Sequence, residues 1–295
     1  MTASMFSRSG TRRALLVGCL MLVALTVSGC SSNANIRPHF FWDSLFHPSP
    51  ALVNGIGLTL VISVVAQILG VVLGVFAAIG KMAKLWPLRT VANLYVWFFR
   101  GTPLLVQLMF FYYGLPAAGI FRWPAISVGP VYILPEVLAG IVILGVNEGA
   151  YMAEIVRAGI LSVDPGQTEA SKSLGMTYGQ TMGRIVLPQA ARVIVPPLGN
   201  EFNNMLKTTS LLTVISVFEL YNTTSVAAGH SYAYFELFGA AAVWYLLMTT
   251  IWGLVQSRIE RRLARCTATG SSGRSGPQSP GFAARLMSLR APIEQ

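Results

Sequence analysis

The segment DPGQTEASKSLGMTYGQTMGRIVLP, residues 164–188, interrupts a chain that is otherwise apolar, and its reading decides what kind of molecule this is. Two short helices are written into it. Asp164 can cap the first, Pro165 takes the first helical position where a missing N–H costs nothing, and Gln167 falls where a side chain can reach back to complete a capping box. Gly175 suits the left-handed residue that ends a helix, Thr177 with Gln180 repeats the box, and the second helix should finish before Pro188. The product is helix, glycine elbow, helix. Ala170 and Leu174 share one face of the first limb, Tyr178, Met182 and Ile185 one face of the second, and Glu169, Lys172 and Arg184 point elsewhere. Such an elbow can dock into a groove; the same spacing also allows an amphipathic hairpin lying on membrane lipid headgroups.

The setting of the elbow is a membrane. Of 295 residues 54% are hydrophobic and only 11% charged, a balance outside that of soluble domains. A helix needs about 20 mainly apolar residues to cross the hydrocarbon layer. Candidate spans are 51–79, which has no charged residue, then 90–115, broken by Arg100, Gly101, Thr102 and Pro103, then 131–146, a weaker one at 193–218 that carries Glu201 and Lys207, and 237–255. Basic residues follow the first, third and fifth: Lys81, Lys84 and Arg89; Arg157, Lys172, Arg184 and Arg192; Arg258, Arg261, Arg262 and Arg265. The intervening loops hold only Arg122, so the positive-inside rule puts the elbow and the C-terminus on the cytoplasmic side. That bias also accounts for the net charge of +10, and no nucleic-acid partner is needed to explain it.

Residues 1–30 form a signal-like or extra transmembrane segment. Arg8, Arg12 and Arg13 precede an apolar run at 14–27, and 27–30, VSGC, resembles a lipoprotein signal-peptidase site with Cys30 as the lipidated residue. Cleavage and lipidation, a retained sixth helix and a misassigned start codon all fit this pattern. Residues 31–50 read as an external linker, 51–265 as the transmembrane domain and 266–295 as a disordered cytoplasmic tail rich in Gly, Ser and Pro. The three cysteines fall in the leader and the tail and build no disulfide framework, and His39, His47 and His230 match no metal spacing.

Several words in the chain resemble the polar amino-acid permeases of the binding-protein-dependent ABC importers. Glu169-Ala170-Ser171, then Gly175, then Ile185, Leu187 and Pro188 resemble that family's EAA loop, with Ser171 where alanine is usual. FRGTPLLVQ at 99–107, NEGAY at 147–151, Gly166 with Gln167, SLGM at 173–176 and LKTTSL at 206–211 extend the likeness over roughly 54–263. The resemblance implies an all-α integral membrane protein with a five-helix type I importer core, in the bacterial inner membrane. It implies coupling helices that seat in a cleft of an ABC ATPase subunit, with Gln167, Glu169, Ala170, Ser171, Leu174, Gly175, Ile185, Leu187 and Pro188 making that coupling. It further implies a second permease subunit, alike or different, and an extracytoplasmic amino-acid-binding protein. The chain itself would hold no cofactor and hydrolyse nothing, ATP and Mg belonging to the partner; Gly199 and Lys207-Thr208 lack the second glycine of a phosphate-cradling loop.

Charges at membrane depth are expensive and mark candidate positions on a substrate path: Arg100, Glu148, Glu154, Glu201 and Lys207. Arg100 can meet a substrate carboxylate or brace a neighbouring acid. Glu148 and Glu154, six apart, do not share a helix face and should not form one site. Salt bridges that pin the spans are the structural alternative. An ion-coupled secondary transporter could instead use Glu148 or Glu154 as proton carrier, but would leave the elbow without a task. An intramembrane enzyme is disfavoured, because no histidine lies inside a core span to serve as base.

Overall fold

A run such as 51–79 offers its backbone no polar side chains to bond, so its N–H and C=O groups must satisfy one another, and the α-helix is how a single segment does so. The computed structural model of the chain, which describes residues 36–129 and 131–271, is built almost wholly of such helices. Helix α1 spans Pro38–Phe46. Helix α2, Pro50–Met82, starts under the Ser49 hydroxyl, which accepts from the Leu52 amide at 3.3 Å. Helix α3, Trp86–Gly101, breaks at Thr102-Pro103 into α4, Leu104–Met109, which runs on through a π-helical turn at Phe110–Gly114 to Ala117. A two-stranded antiparallel hairpin follows, β1 Ile126–Val128 and β2 Val131–Ile133, with Ser127 opposite Tyr132. Then come α5, Pro135–Leu161, α6, Pro165–Ser173, and α7, Tyr178–Thr181. A π turn at Met182–Val186 joins α7 to α8, Leu187–Thr208, which tightens into a 3-10 turn at Thr209–Ile215; α9, Leu220–Ser231, and α10, Tyr234–Ser271, complete the order.

Among the described residues three helices, α2, α5 and the Tyr234–Leu263 part of α10, are long and apolar enough to cross a membrane, and counting the two bent pairs raises the number to five. The spans at 90–115 and 193–218 are therefore not straight rods. The first is α3 with α4 bent by 105°, and the second is the helix reaching from Tyr178 to Ile215 with α9 bent by 53° at left-handed Ser216.

Other boundaries move for local reasons. The third span does not begin at 131: Val131–Ile133 pair with β1, and the helix starts at Pro135 and continues to Leu161, well past 146. Pro188 does not end the second limb of the elbow. It cannot donate to the carbonyl of Arg184, and widening the turn just before it keeps the chain helical across the missing bond. The segment 31–50 is not only linker, since α1 docks on α10: Phe40 packs with Ala228, Ala233 and Leu237, and the Arg37 amide donates to Glu236 at 2.6 Å. Helix α10 reaches Ser271, so the first residues of the expected tail, from 266, are helical. The leader with Cys30 and the tail beyond 271 lie outside the described residues.

The packing inverts a soluble core. Along α2 most of the buried residues are small or polar, Gly55, Thr59, Ser63, Gln67, Gly70 and Gly74 among them, whereas Val61, Ile68, Val72, Phe76 and Ile79 are exposed. An apolar exterior over a small-residue interface suits hydrocarbon outside and close helix contact inside. Glycines set that contact. A Cβ on Gly70 would come within 2.6 Å of the Glu148 side chain, and one on Gly145 within 2.7 Å of Leu69. Ile62, Ala66, Leu108, Ile143, Leu144, Met205 and Leu212 fill the space where α2, α4, α5 and α8 converge. Glu219, fully buried, caps α9: it accepts from the Asn222 amide at 2.9 Å and the Tyr245 hydroxyl at 2.8 Å, tying α9 to α10.

Candidate functional site

The elbow is held by its own backbone. The Asp164 carboxylate accepts from the Gly166 amide at 2.8 Å and Pro165 occupies the first turn of α6. The Asp164 carboxylate bonds Gly166 and not Gln167, and among the described residues Gln167 returns no side-chain bond to the cap, so the expected first capping box does not form, while Thr177 and Gln180 make theirs complete. At its far end α6 closes with paired bonds, Gly175 N–H to Lys172 C=O at 2.9 Å and Met176 N–H to Ser171 C=O at 3.1 Å, with Gly175 at φ +76°. A Cβ on Gly175 would meet nothing within 4 Å in this chain, so glycine is required here by conformation. One side-chain bond pins the two limbs together: the buried Ser171 hydroxyl lies 2.8 Å from that of Thr181 and donates to the Thr168 carbonyl.

What the pinned elbow presents is an apolar knob beside a carboxylate. Leu174 is 81% exposed, and Glu169, Ala170, Gly175, Leu187 and Pro188 are exposed with it, Ile185 being half-buried. Ala170 and Leu174 point outward as their spacing requires. Tyr178, Met182 and Leu187 turn toward a large apolar groove between α2, α5 and α8.

The five residues placed on a substrate path separate into two groups. Glu154 gathers cations from three helices: Lys81 of α2, Arg157 at 3.2 Å and Arg100 of α3 at 4.0 Å. The Arg100 guanidinium also lies 5.3 Å from the Tyr151 ring. Arg100 thus braces an acid. This cluster pins α2, α3 and α5, the structural alternative for such charges.

Glu148 and Lys207 face a different space, a cavity of about 660 Å³ bordered also by Asn147, Glu201, Asn204 and Thr208. Glu148 is buried, and one of its oxygens accepts from Gln67 at 3.2 Å. Glu148 and Glu154 thus have different surroundings, a cavity wall for one and a cluster of cations for the other. Asn147 donates to the Phe99 carbonyl at 3.1 Å and to the Gln107 side chain at 2.9 Å, and Gln107 bonds Thr102, so the same corner of α5 stabilises the break between α3 and α4. Sequence reasoning missed Gln67, Asn147, Asn204 and Glu219 as structural groups. For the amides the available signal was their presence within apolar runs, whereas Glu219 falls just beyond the expected fourth span.

With that geometry in place, the chain can be set beside known proteins. The profile of the family described as "Binding-protein-dependent transport system inner membrane component" matches residues 70–265. The chain is similar to the L-cystine transport system permease protein TcyB of Bacillus subtilis (strain 168), 39% identical over 248 residues that cover 84% of this chain and 97% of that protein. It is similar also to the glutamine transport system permease protein GlnP of Escherichia coli (strain K12), 34% identical over 224 residues, 76% of this chain and 98% of that protein. A solved structure described as "Crystal structure of an amino acid ABC transporter with histidines" superposes with a TM-score of 0.67 at 38% identity, covering 75% of this chain and 98% of the other.

Proposed function

Because this chain belongs to the inner membrane components of binding-protein-dependent transport systems, we propose that its glycine elbow is the contact through which a separate ATPase drives it. The protein is a permease subunit of an ABC importer for amino acids, with the fold of the type I permeases. Membership of that family supports an energy source outside the chain and gives no support to the ion-coupled alternative, with Glu148 or Glu154 as proton carrier.

The observation that carries the coupling role is the exposure of Leu174 on a turn its backbone and the Ser171–Thr181 bond hold rigid. A large apolar side chain fixed in that way, with Glu169 on the same short helix, suits a partner whose cleft is apolar with a basic rim. The positive-inside bias puts that partner in the cytoplasm, where ATP and Mg bind to it and not to this chain. Substrate arrives at the opposite end from an extracytoplasmic binding protein, and a second permease subunit completes the pathway. The cavity at Glu148 and Lys207, halfway along α5, is the station through which the amino acid passes. Nucleotide can shift the two states of the transporter only by binding them unequally, so the elbow contact must differ between them.

The test uses Glu169→Lys and Gly175→Asp in cells that carry the whole importer. Both should abolish uptake and reduce the ATPase recovered with the permease, while the permease stays in the membrane fraction. Normal uptake by both would refute the coupling role.

A further inference from the structure

We infer that the cavity selects an amino acid whose side chain carries a positive charge, an inference that rests on the cavity being the substrate station. The argument is a count of charges and of what already answers them. Among the charged residues on its wall are two carboxylates, Glu148 and Glu201, and one ammonium, Lys207. A zwitterionic amino acid adds one carboxylate and one ammonium. Lys207, with the Asn204 side chain on the same wall, answers the substrate carboxylate, and one glutamate answers the α-ammonium. The other glutamate then faces the cavity with no cation to meet.

Among the described residues none supplies that cation. Glu148 is 7% exposed, and among the described residues its only hydrogen-bond donor is Gln67, to one oxygen. No hydrogen bond reaches its other oxygen among the described residues, and no ion pair within 4.0 Å involves Glu148 or Glu201. The nearby basic groups Lys81, Arg100 and Arg157 are all paired with Glu154. A carboxylate buried to that degree and left unmatched is unfavourable until a cation arrives. A lysine, arginine or histidine side chain provides one. A neutral side chain leaves the acid unpaired, and an acidic one adds a third carboxylate against a single ammonium. Sites built around a charged or polar contact reject the analogue that lacks it far more strongly than apolar pockets reject a missing methylene.

The experiment uses the permease purified with its ATPase subunit in lipid nanodiscs and titrated with amino acids. L-Arginine, L-lysine and L-histidine are compared with L-citrulline, L-glutamine and L-glutamate; citrulline has the shape of arginine without its charge. At least one cationic amino acid should bind about tenfold or more tightly than citrulline and glutamine. Glu148→Gln and, separately, the less buried Glu201→Gln should each shrink that preference, with retention of the ATPase subunit checking that the variant is folded. Citrulline or glutamine bound as tightly as every cationic amino acid would overturn the selection while leaving the cavity as substrate station. No binding of any amino acid, in wild type or variants, would overturn both.

Discussion

The seam between α2 and α5 can be tested with one methyl group placed at two points. Gly74 faces α5 so closely that an added Cβ would lie 3.0 Å from both the Ala153 nitrogen and the Met152 carbonyl carbon, atoms of the backbone that no rotamer change can remove. Favourable contact between such atoms begins near 3.5 Å, so the helices would have to part by about 0.5–1 Å. Overpacking of this kind costs about 1–3 kcal/mol. Gly57, on the same helix, would meet nothing within 4 Å. Both substitutions gain the same backbone term, about 0.5–1 kcal/mol for replacing glycine by alanine inside a helix. That term cancels in the comparison, and the difference between Gly74→Ala and Gly57→Ala isolates the packing cost of about 1–3 kcal/mol. For a chain of this size each kcal/mol moves the midpoint by about 2–4 °C. Thermal unfolding of the detergent-purified complex should therefore place Gly57→Ala at or above wild type and Gly74→Ala clearly below Gly57→Ala. Equal midpoints for the two variants, or the reverse order, would show that the seam is not the tight contact described.

Two further outcomes follow from named hydrogen bonds. Ser171→Ala strands the buried Thr181 hydroxyl and should destabilise the elbow by about 1–3 kcal/mol, whereas Ser171→Ala with Thr181→Val removes both partners and should recover most of the loss, read as the unfolding midpoint and as ATPase recovery. Glu154→Gln leaves Lys81, Arg100 and Arg157 without their shared acid and should cost about 1–3 kcal/mol at low salt; adding Lys81→Gln should return part of it, and simple additivity of the two losses would argue against a cluster.

The features legible in the sequence are those in which local chemistry acts alone. Thr177 with Gln180 and Gly175 behave as their residue types dictate, because a cap and a left-handed turn are decided within four residues of chain. The charge-free run of α2 is equally self-sufficient. Elsewhere the residue types misled, through a neighbouring turn or through a distant element. Pro188 reads as a stop, yet the widened turn before it lets the helix pass. Val131 reads as the start of a span, but the Gly-Pro pair before it, between β-branched residues, was the unread sign of a hairpin. Glu219 reads as a solvated loop acid; only the approach of α2 and α10 buries it and supplies its donors from Thr59 and Tyr245. The partition of Arg100, Glu148, Glu154 and Lys207 into a clamp and a cavity wall was likewise invisible, since it depends on which helices cross where.

That partition links the elbow to the cavity. Limb α6 follows directly from α5, whereas α7 is continuous through the π turn with α8. The cavity has the same two owners: Asn147 and Glu148 come from α5, Glu201, Asn204 and Lys207 from α8. The cations gathered on Glu154 fasten α5 to α2 and α3, and the glycine seam lengthens that attachment, so a push on α6 moves three helices together and does not merely bend one. The elbow thus joins two segments whose far surfaces border the cavity at Glu148 and Lys207, about 20 Å along α5 from its elbow end. Close-packed bodies shift between discrete arrangements and do not deform smoothly. On the coupling proposed above, a partner that changes the angle between α6 and α7 at the elbow would therefore change the separation of Glu148 from Lys207 across the cavity, with no separate path needed through the protein.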